Sequence, residues 1–285
     1  MSSTILITIA CLSALGLLLA AVLYIVAQKF KVEEDPRIDD VEALLPGANC
    51  GGCGSAGCRA FAERCVKAET LEGYFCPVGG NPVMKQVAAR LGKEIAEAAP
   101  RVAVVRCSGS LDNRPRTSIY NGEKSCKVMA GLYSGDTGCR YGCLGQGDCA
   151  VACPFDAIEM NPRTGLPVVN EERCTACGNC VAACPKGVIE LRNKGPKSRR
   201  LFVSCINQDK GGVARKACSA ACIGCMKCVK VCPFEAVKVE NNVAYIDFNK
   251  CRLCRKCAEA CPTGAIVEVN FPIRLPKEVE VEKQA

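Results

Sequence analysis

The first 28 residues carry no charged side chain, and Thr4 to Ala27 reads TILITIACLSALGLLLAAVLYIVA. Apolar residues cover every face of such a helix, so it has no polar stripe to turn toward water. Its length, about 36 Å, spans a hydrocarbon core of about 30 Å. A cleaved signal peptide is the competing reading, but the basic n-region is missing and the apolar run exceeds a usual h-region, which favours a retained anchor. Lys29 and Lys31 follow the segment and nothing basic precedes it, so the rest of the chain is expected on the cytoplasmic side. The pattern then turns polar in KVEEDPRIDD, Lys31 to Asp40, read as an acidic linker. From Pro82 to Ala98 apolar residues recur at three and four, which predicts a helix.

Beyond residue 135 the apolar runs are short and repeat. Four segments end alike, CPFDAI at Cys153, CPKGVI at Cys184, CPFEAV at Cys232 and CPTGAI at Cys261, at distances of 31, 48 and 29 residues. The repeats therefore come in two pairs. Each leads into a short alternating segment such as VKVENNVAYIDF, which predicts a strand and hairpin. RVAVVRC and RRLFVSC read as strands ending in a cysteine, one ahead of each pair. The expected class is α+β. An anchor (1–28) is followed by a linker (29–40), a four-cysteine module (41–98) and a connecting segment (99–134). A first ferredoxin-like domain (135–192), a second connecting segment (193–217), a second ferredoxin-like domain (218–270) and a tail (271–285) complete the chain. The tail is charged and proline-containing, and is expected to be poorly ordered.

Composition sharpens this picture. The 285 residues include 26 cysteines, no histidine and no tryptophan, with 5% aromatic residues. Cysteine at this density signals a disulfide scaffold or a metal-cluster protein. The C-x2-C spacings and a reducing cytoplasmic location favour the second. Without histidine, His-ligated haem, Rieske centres and mixed cysteine–histidine zinc sites are excluded, leaving all-thiolate iron–sulfur or four-cysteine zinc. The formal charge of +8 is offset if thiolate-bound [4Fe–4S] clusters, each about −2 when oxidised, are buried inside. Alternatively, the basic residues form a docking face for an acidic redox partner.

Three runs have the bacterial ferredoxin spacing C-x2-C-x2-C-x3-C-P: Cys174, Cys177, Cys180, Cys184; Cys222, Cys225, Cys228, Cys232; and Cys251, Cys254, Cys257, Cys261. In two-cluster ferredoxins the cysteine before proline serves the other cube. The expected sets are therefore Cys174, Cys177, Cys180 with Cys153; Cys222, Cys225, Cys228 with Cys261; and Cys251, Cys254, Cys257 with Cys232. A fourth run, CRYGCLGQGDCAVACP, is stretched to C-x3-C-x5-C-x3-C-P. Its glycines, Gly142, Gly145 and Gly147, let a longer loop still curl around a cube, which assigns Cys139, Cys143 and Cys149 to a set with Cys184. The amino-terminal module offers Cys50, Cys53, Cys58 and Cys76 for a further [4Fe–4S] centre, with Cys65 read as a buried free thiol in preference to a substitute ligand. Apart from Cys11 in the anchor, four cysteines remain. Cys107, Cys126, Cys205 and Cys218 are assigned either to a sixth cluster between the halves or to structural thiols.

The uncharged amino-terminal helix, the CGGCGSAGC module and the CRYGCLGQGDCAVACPFDAI run with added ferredoxin repeats resemble the B subunit of the Rnf complex, over nearly the whole chain. The resemblance implies a membrane-bound, ion-translocating ferredoxin:NAD+ oxidoreductase, in which reduced ferredoxin supplies electrons that pass through partner subunits to NAD+ while Na+ or H+ crosses the membrane. It also implies that the stretched spacing belongs to the family. The second ferredoxin pair makes this a long form. By its own residues the chain reads as a relay: no G-x-G-x-x-G strand–turn–helix fingerprint is found, and the anchor holds no ionisable group beyond Cys11 and Tyr24. The alternatives are a polyferredoxin serving a hydrogenase or quinone-linked enzyme, a zinc-stabilised interaction protein, and an exported protein.

Overall fold

A computed structural model of the protein describes residues 2–29, 35–132 and 135–273. Part of the expected linker (30–34) and most of the expected tail (274–285) lie outside the described residues. Helix α1, Ser2–Lys29, includes 25 residues, Ile5–Lys29, long and apolar enough to cross a membrane, and none of that span packs against protein. Two of its hydroxyls are satisfied within the helix: Thr8 Oγ1 donates to the Ile5 carbonyl at 2.9 Å and Ser13 Oγ to the Ile9 carbonyl at 2.8 Å. That local bonding makes them tolerable in hydrocarbon.

Three helices build the amino-terminal module: α2 (Pro36–Leu44), α3 (Cys58–Lys67) and α4 (Gly80–Leu91). The first begins inside the stretch expected to be linker. Asp35 caps it by accepting from the Arg37 backbone N–H at 2.9 Å, Pro36 occupies the first turn, and Ile38 and Val41 face inward. The helix expected over 82–98 stops at Leu91, because Gly92 takes a left-handed cap (φ 64°). Asn81 then holds the following segment by paired bonds to the Ala98 N–H and carbonyl. Val41, Phe61, Ala62, Cys65, Leu71, Met84 and Val87 form the module's core. Lys93 Nζ donates to the Cys65, Val66 and Ala68 carbonyls and so closes the carboxyl end of α3.

The remainder repeats one plan twice. The first half contains β1 (Arg101–Val105), α5 (Cys126–Leu132), α6 (Asp148–Val151), β2 (Ile158–Met160), β3 (Pro167–Val169), α7 (Asn179–Ala183) and β4 (Ile189–Asn193). The second contains β5 (Arg200–Val203), α8 (Gly211–Ala217), α9 (Lys227–Lys230), β6 (Val237–Glu240), β7 (Val243–Ile246), α10 (Lys256–Glu259) and β8 (Ile266–Val269). The strands pair antiparallel as β1–β4, β2–β3, β5–β8 and β6–β7. In the outer pairs Arg101 faces Asn193 and Arg200 faces Val269. Each connecting segment thus supplies a strand that pairs with the closing strand of the unit after it.

Arginines join the halves. Arg192, 1% exposed, ion-pairs with Glu190, donates Nη1 to the Ile246 carbonyl at 3.0 Å and lies over the rings of Phe202, Tyr245 and Phe248. Arg200 pairs with Glu171, which also accepts from Asn270. Arg106 Nε donates to the Val203 carbonyl at 3.2 Å. Beside them Val102 and Val104 pack on Phe202, Val267 and Val269, so the two outer sheets share one apolar seam. The basic residues read as charge balance thus include several that hold the chain together internally.

Candidate metal centres

Four cavities are each lined by four cysteines. The first is lined by Cys50, Cys53, Cys58 and Cys76. Asn49 shapes it by accepting the Cys58 backbone N–H at 2.7 Å, and the Gly79 N–H donates to Cys76 Sγ at 3.4 Å. The second brings Cys153 to Cys174, Cys177 and Cys180, and the Ala157 N–H reaches Cys153 Sγ at 3.4 Å. Cys222, Cys225, Cys228 and Cys261 line the third, where the Ala244 N–H reaches Cys222 Sγ at 3.4 Å. In both ferredoxin units a cysteine that precedes proline has crossed to the neighbouring group of three. Cys251, Cys254 and Cys257 come together with Cys232, their thiols lying close enough to influence one another.

The fourth cavity differs from the sequence expectation. It is lined by Cys143, Cys149 and Cys184, as expected, but the remaining cysteine is Cys126, not Cys139. The cause is Asp148. Its carboxylate accepts from the Cys126 N–H at 2.8 Å, the Lys127 N–H at 3.0 Å and the Ser125 hydroxyl at 3.0 Å, fixing the start of α5 beside Cys149. The stretched loop meanwhile turns Cys139 away. Arg114 donates Nη2 to the Cys143 carbonyl at 2.6 Å, and a Cβ on Gly142 would run into its guanidinium. Cys139 instead receives the Asn207 side-chain amide at 3.5 Å. The expected grouping of Cys126 with Cys107, Cys205 and Cys218 is thereby also changed. A long-range carboxylate cap and a buried arginine leave no trace in cysteine spacing, although the aspartate directly before Cys149 is visible in the sequence.

The cavities follow one another. A Cβ on Gly52 would lie 2.7 Å from the Cys177 carbonyl, and Asn179 Nδ2 donates to the Cys50 carbonyl at 3.2 Å, so the amino-terminal module seats directly on the second cavity. Cys180 and Cys149 are close enough to interact, as are Cys257 and Cys228. Cys65 is fully buried in the helical core beside the first cavity but does not line it, and Cys11 is exposed on α1.

The donor sets fit iron–sulfur clusters. Burial, reinforced by neighbouring cysteines, pushes the thiols of Cys143, Cys180 and Cys257 up to about 12, and those of Cys149 and Cys228 to about 11. Such thiols ionise only when a cationic core takes up the charge, which ties metal binding to folding. Backbone N–H groups aimed at the sulfurs are the donors that stabilise cluster thiolates and tune their potentials.

Comparison with known proteins agrees with this chemistry. A family described as a 4Fe-4S dicluster domain matches residues 138–188 and 221–265, a 4Fe-4S double cluster binding domain matches 173–235, and an Fe-S cluster family matches 45–77. The chain is 46% identical over 251 residues to the B subunit of the ion-translocating oxidoreductase complex of Methanosarcina acetivorans, covering 88% of this chain and 93% of that one. It is 45% identical over 252 residues to the B subunit of the Na(+)-translocating ferredoxin:NAD(+) oxidoreductase complex of Acetobacterium woodii, covering 88% and 74%. With the proton-translocating counterpart from Clostridium ljungdahlii it shares 42% over 249 residues, covering 87% and 86%. Identity at this level, sustained over nearly nine-tenths of its length, places this chain in the family of B subunits of Rnf-type ion-translocating oxidoreductase complexes.

Proposed function

We infer that this chain is the membrane-anchored, multi-[4Fe–4S] electron-transfer subunit of an ion-translocating ferredoxin:NAD+ oxidoreductase. The observation that carries this reading is the succession of four-cysteine sites, running from the amino-terminal module through both ferredoxin units. The ligand sets are Cys50, Cys53, Cys58, Cys76; Cys153, Cys174, Cys177, Cys180; Cys126, Cys143, Cys149, Cys184; Cys222, Cys225, Cys228, Cys261; and Cys232, Cys251, Cys254, Cys257. Bound there, [4Fe–4S] clusters supply one-electron redox chemistry. The protein's part is to hold them in series, keep water from the buried sulfurs and direct N–H groups at them.

The chain acts as a relay, with nucleotide, flavin and ion chemistry on partner subunits. The spelling G-x-G-x-x-G occurs at Gly52–Gly57, but no strand precedes it among the described residues and its cysteine faces a cluster cavity. Helix α1 serves as the anchor, and Lys29 at its carboxyl end supports a cytoplasmic location for the cluster units. Soluble reduced ferredoxin is the electron donor. Relatives named for Na+ and for proton translocation match this chain about equally well, which supports assigning ion choice to other subunits.

The test is to purify the tagged chain anaerobically from membranes in mild detergent and assay NAD+ reduction by reduced ferredoxin. Activity with several co-purifying membrane subunits is expected. An iron-loaded chain that arrives with a hydrogenase or a quinone-linked enzyme overturns the assignment.

A further inference from the structure

Cys107, Cys139, Cys205 and Cys218 belong to none of the five sets, and Cys107 lies outside every matched family range. They come from four separate segments that the fold ties together. The Ser108 N–H donates to the Ser204 carbonyl at 3.0 Å, bringing Cys107 beside Cys205. The Ser219 N–H donates to the Asn113 carbonyl at 2.9 Å, bringing Cys218 against the loop that follows Cys107. Arg140 pairs with Asp209 at 3.1 Å and Asn207 Nδ2 reaches Cys139 Sγ, drawing the stretched run onto the loop after β5. Cys218 and Cys205 share one small apolar cluster with Ala214 and Ala221.

The sulfurs also carry the features of the five sets. Cys107 Sγ accepts the Cys143 N–H, Cys205 Sγ the Asn207 N–H and Cys139 Sγ the Asn207 side-chain amide, each at 3.5 Å. Asn207 is 1% exposed and Arg114 8% exposed, so both are dedicated to the interior. Arg114 Nε has no hydrogen-bond partner among the described residues. A Cβ on Gly109 would lie 3.3 Å from that Nε and 3.4 Å from Cys107 Sγ, so glycine leaves the guanidinium and the thiol room on the same side. Cys218 and Cys205 each lie close enough to Cys107 for the thiols to influence one another, and Cys218 to Cys139 as well. A buried guanidinium beside four neutral thiols would be an uncompensated charge, whereas beside a thiolate-bound cluster it is paired.

We propose that Cys107, Cys139, Cys205 and Cys218 hold a sixth [4Fe–4S] cluster at the junction of the two halves, with Asn207 and Arg114 positioned to set its potential. The site touches both neighbours. The Cys143 N–H that reaches Cys107 belongs to the set with Cys126, and Cys205 lies next to Cys222 of the following set. The sixth cluster joins two rows that would otherwise end at the seam between the halves. The proposal rests on the electron-relay reading given above and adds a site to it.

The test counts iron in the intact chain, purified anaerobically with its partners, and follows it by redox-titrated electron paramagnetic resonance. Six clusters give about 24 irons per chain, and a wild-type value near 20 overturns the proposal. Paired substitutions identify the ligand sets. Cys139→Ala with Cys205→Ala removes two ligands of one cluster and should leave about 20 irons with no three-iron signal, whereas Cys126→Ala with Cys205→Ala removes one ligand from each of two clusters and should leave about 22 irons with three-iron signals. The reverse order would return Cys126 to the junction and overturn the assignment. Because cysteine variants can fail to assemble, Asn207→Ala provides a second readout. It should keep about 24 irons and lower the midpoint potential of one centre, since a lost N–H donor no longer stabilises the reduced, more negative cluster. No shift in any centre overturns the positioning role. The two readings separate cleanly: about 20 irons in a ferredoxin:NAD+ oxidoreductase sinks the sixth cluster alone, and about 24 irons in a different enzyme sinks the function alone.

Discussion

Replacing Asp148 with alanine should release Cys126 from its cluster site without touching a ligand. The carboxylate accepts three hydrogen bonds, from the Cys126 and Lys127 N–H groups and the Ser125 hydroxyl, at 2.8 to 3.0 Å. Bonds to a charged acceptor contribute about 1.5–3 kcal/mol each when buried, and a single helix cap about 1 kcal/mol. Asp148 is only partly buried, so the three together are worth about 2 kcal/mol, or roughly a thirtyfold shift from seated toward released Cys126. Against the opposing effect of burial, these donors hold the Asp148 carboxyl below its usual range. Its contribution is therefore complete above pH about 4 and is lost only as pH falls through the lowered value, so a neutral assay sees it in full. The measurement is iron loss to a chelator under anaerobic conditions, together with the electron paramagnetic resonance spectrum of the oxidised protein. Loss of about one iron per chain, with a three-iron signal absent from wild type, is expected. Asp148→Asn, which keeps one acceptor oxygen, should fall between. Full iron retention and an unchanged spectrum in Asp148→Ala would refute both the capping argument and the place of Cys126.

Removing iron should unfold residues 135–270, because these units bury little apolar surface apart from their cluster sites; near-native circular dichroism after complete iron loss would contradict this. Gly52→Ala places a methyl group 2.7 Å from the Cys177 carbonyl, a clash costing about 1–3 kcal/mol. Electron transfer between the amino-terminal module and the cluster held by Cys177 should slow while total iron stays constant, and unchanged transfer kinetics would show that this contact is not on the path. Arg192→Ala removes a buried cation from Glu190, the Ile246 carbonyl and three rings, and should destabilise the joined halves by about 3–5 kcal/mol in anaerobic denaturation. Arg192→Met, which keeps most of the volume, should cost clearly less; equal losses would mean that the charge carries the whole effect.

Much of this protein is legible along the chain, because cluster ligation imposes short, local spacings. A C-x2-C-x2-C loop wraps one centre by itself, so most of the cysteine groupings seen in the structure could be written down from residue numbers, the crossing of Cys153, Cys184, Cys232 and Cys261 to neighbouring groups included. The uncharged run that forms α1 and the strands ending at Cys107 and Cys205 were equally local. What escaped the sequence depends on contacts between distant segments. The start of α2 at Pro36 needed a core for Ile38 and Val41 to enter, and the end of α4 followed from a glycine cap inside a continuing helical pattern. The exchange of Cys126 for Cys139 was decided by a carboxylate 22 residues from the cysteine it holds and by a buried arginine under the stretched loop. Local spacing states which thiols can share a centre, but the choice among several that could belongs to the packing that brings remote loops together.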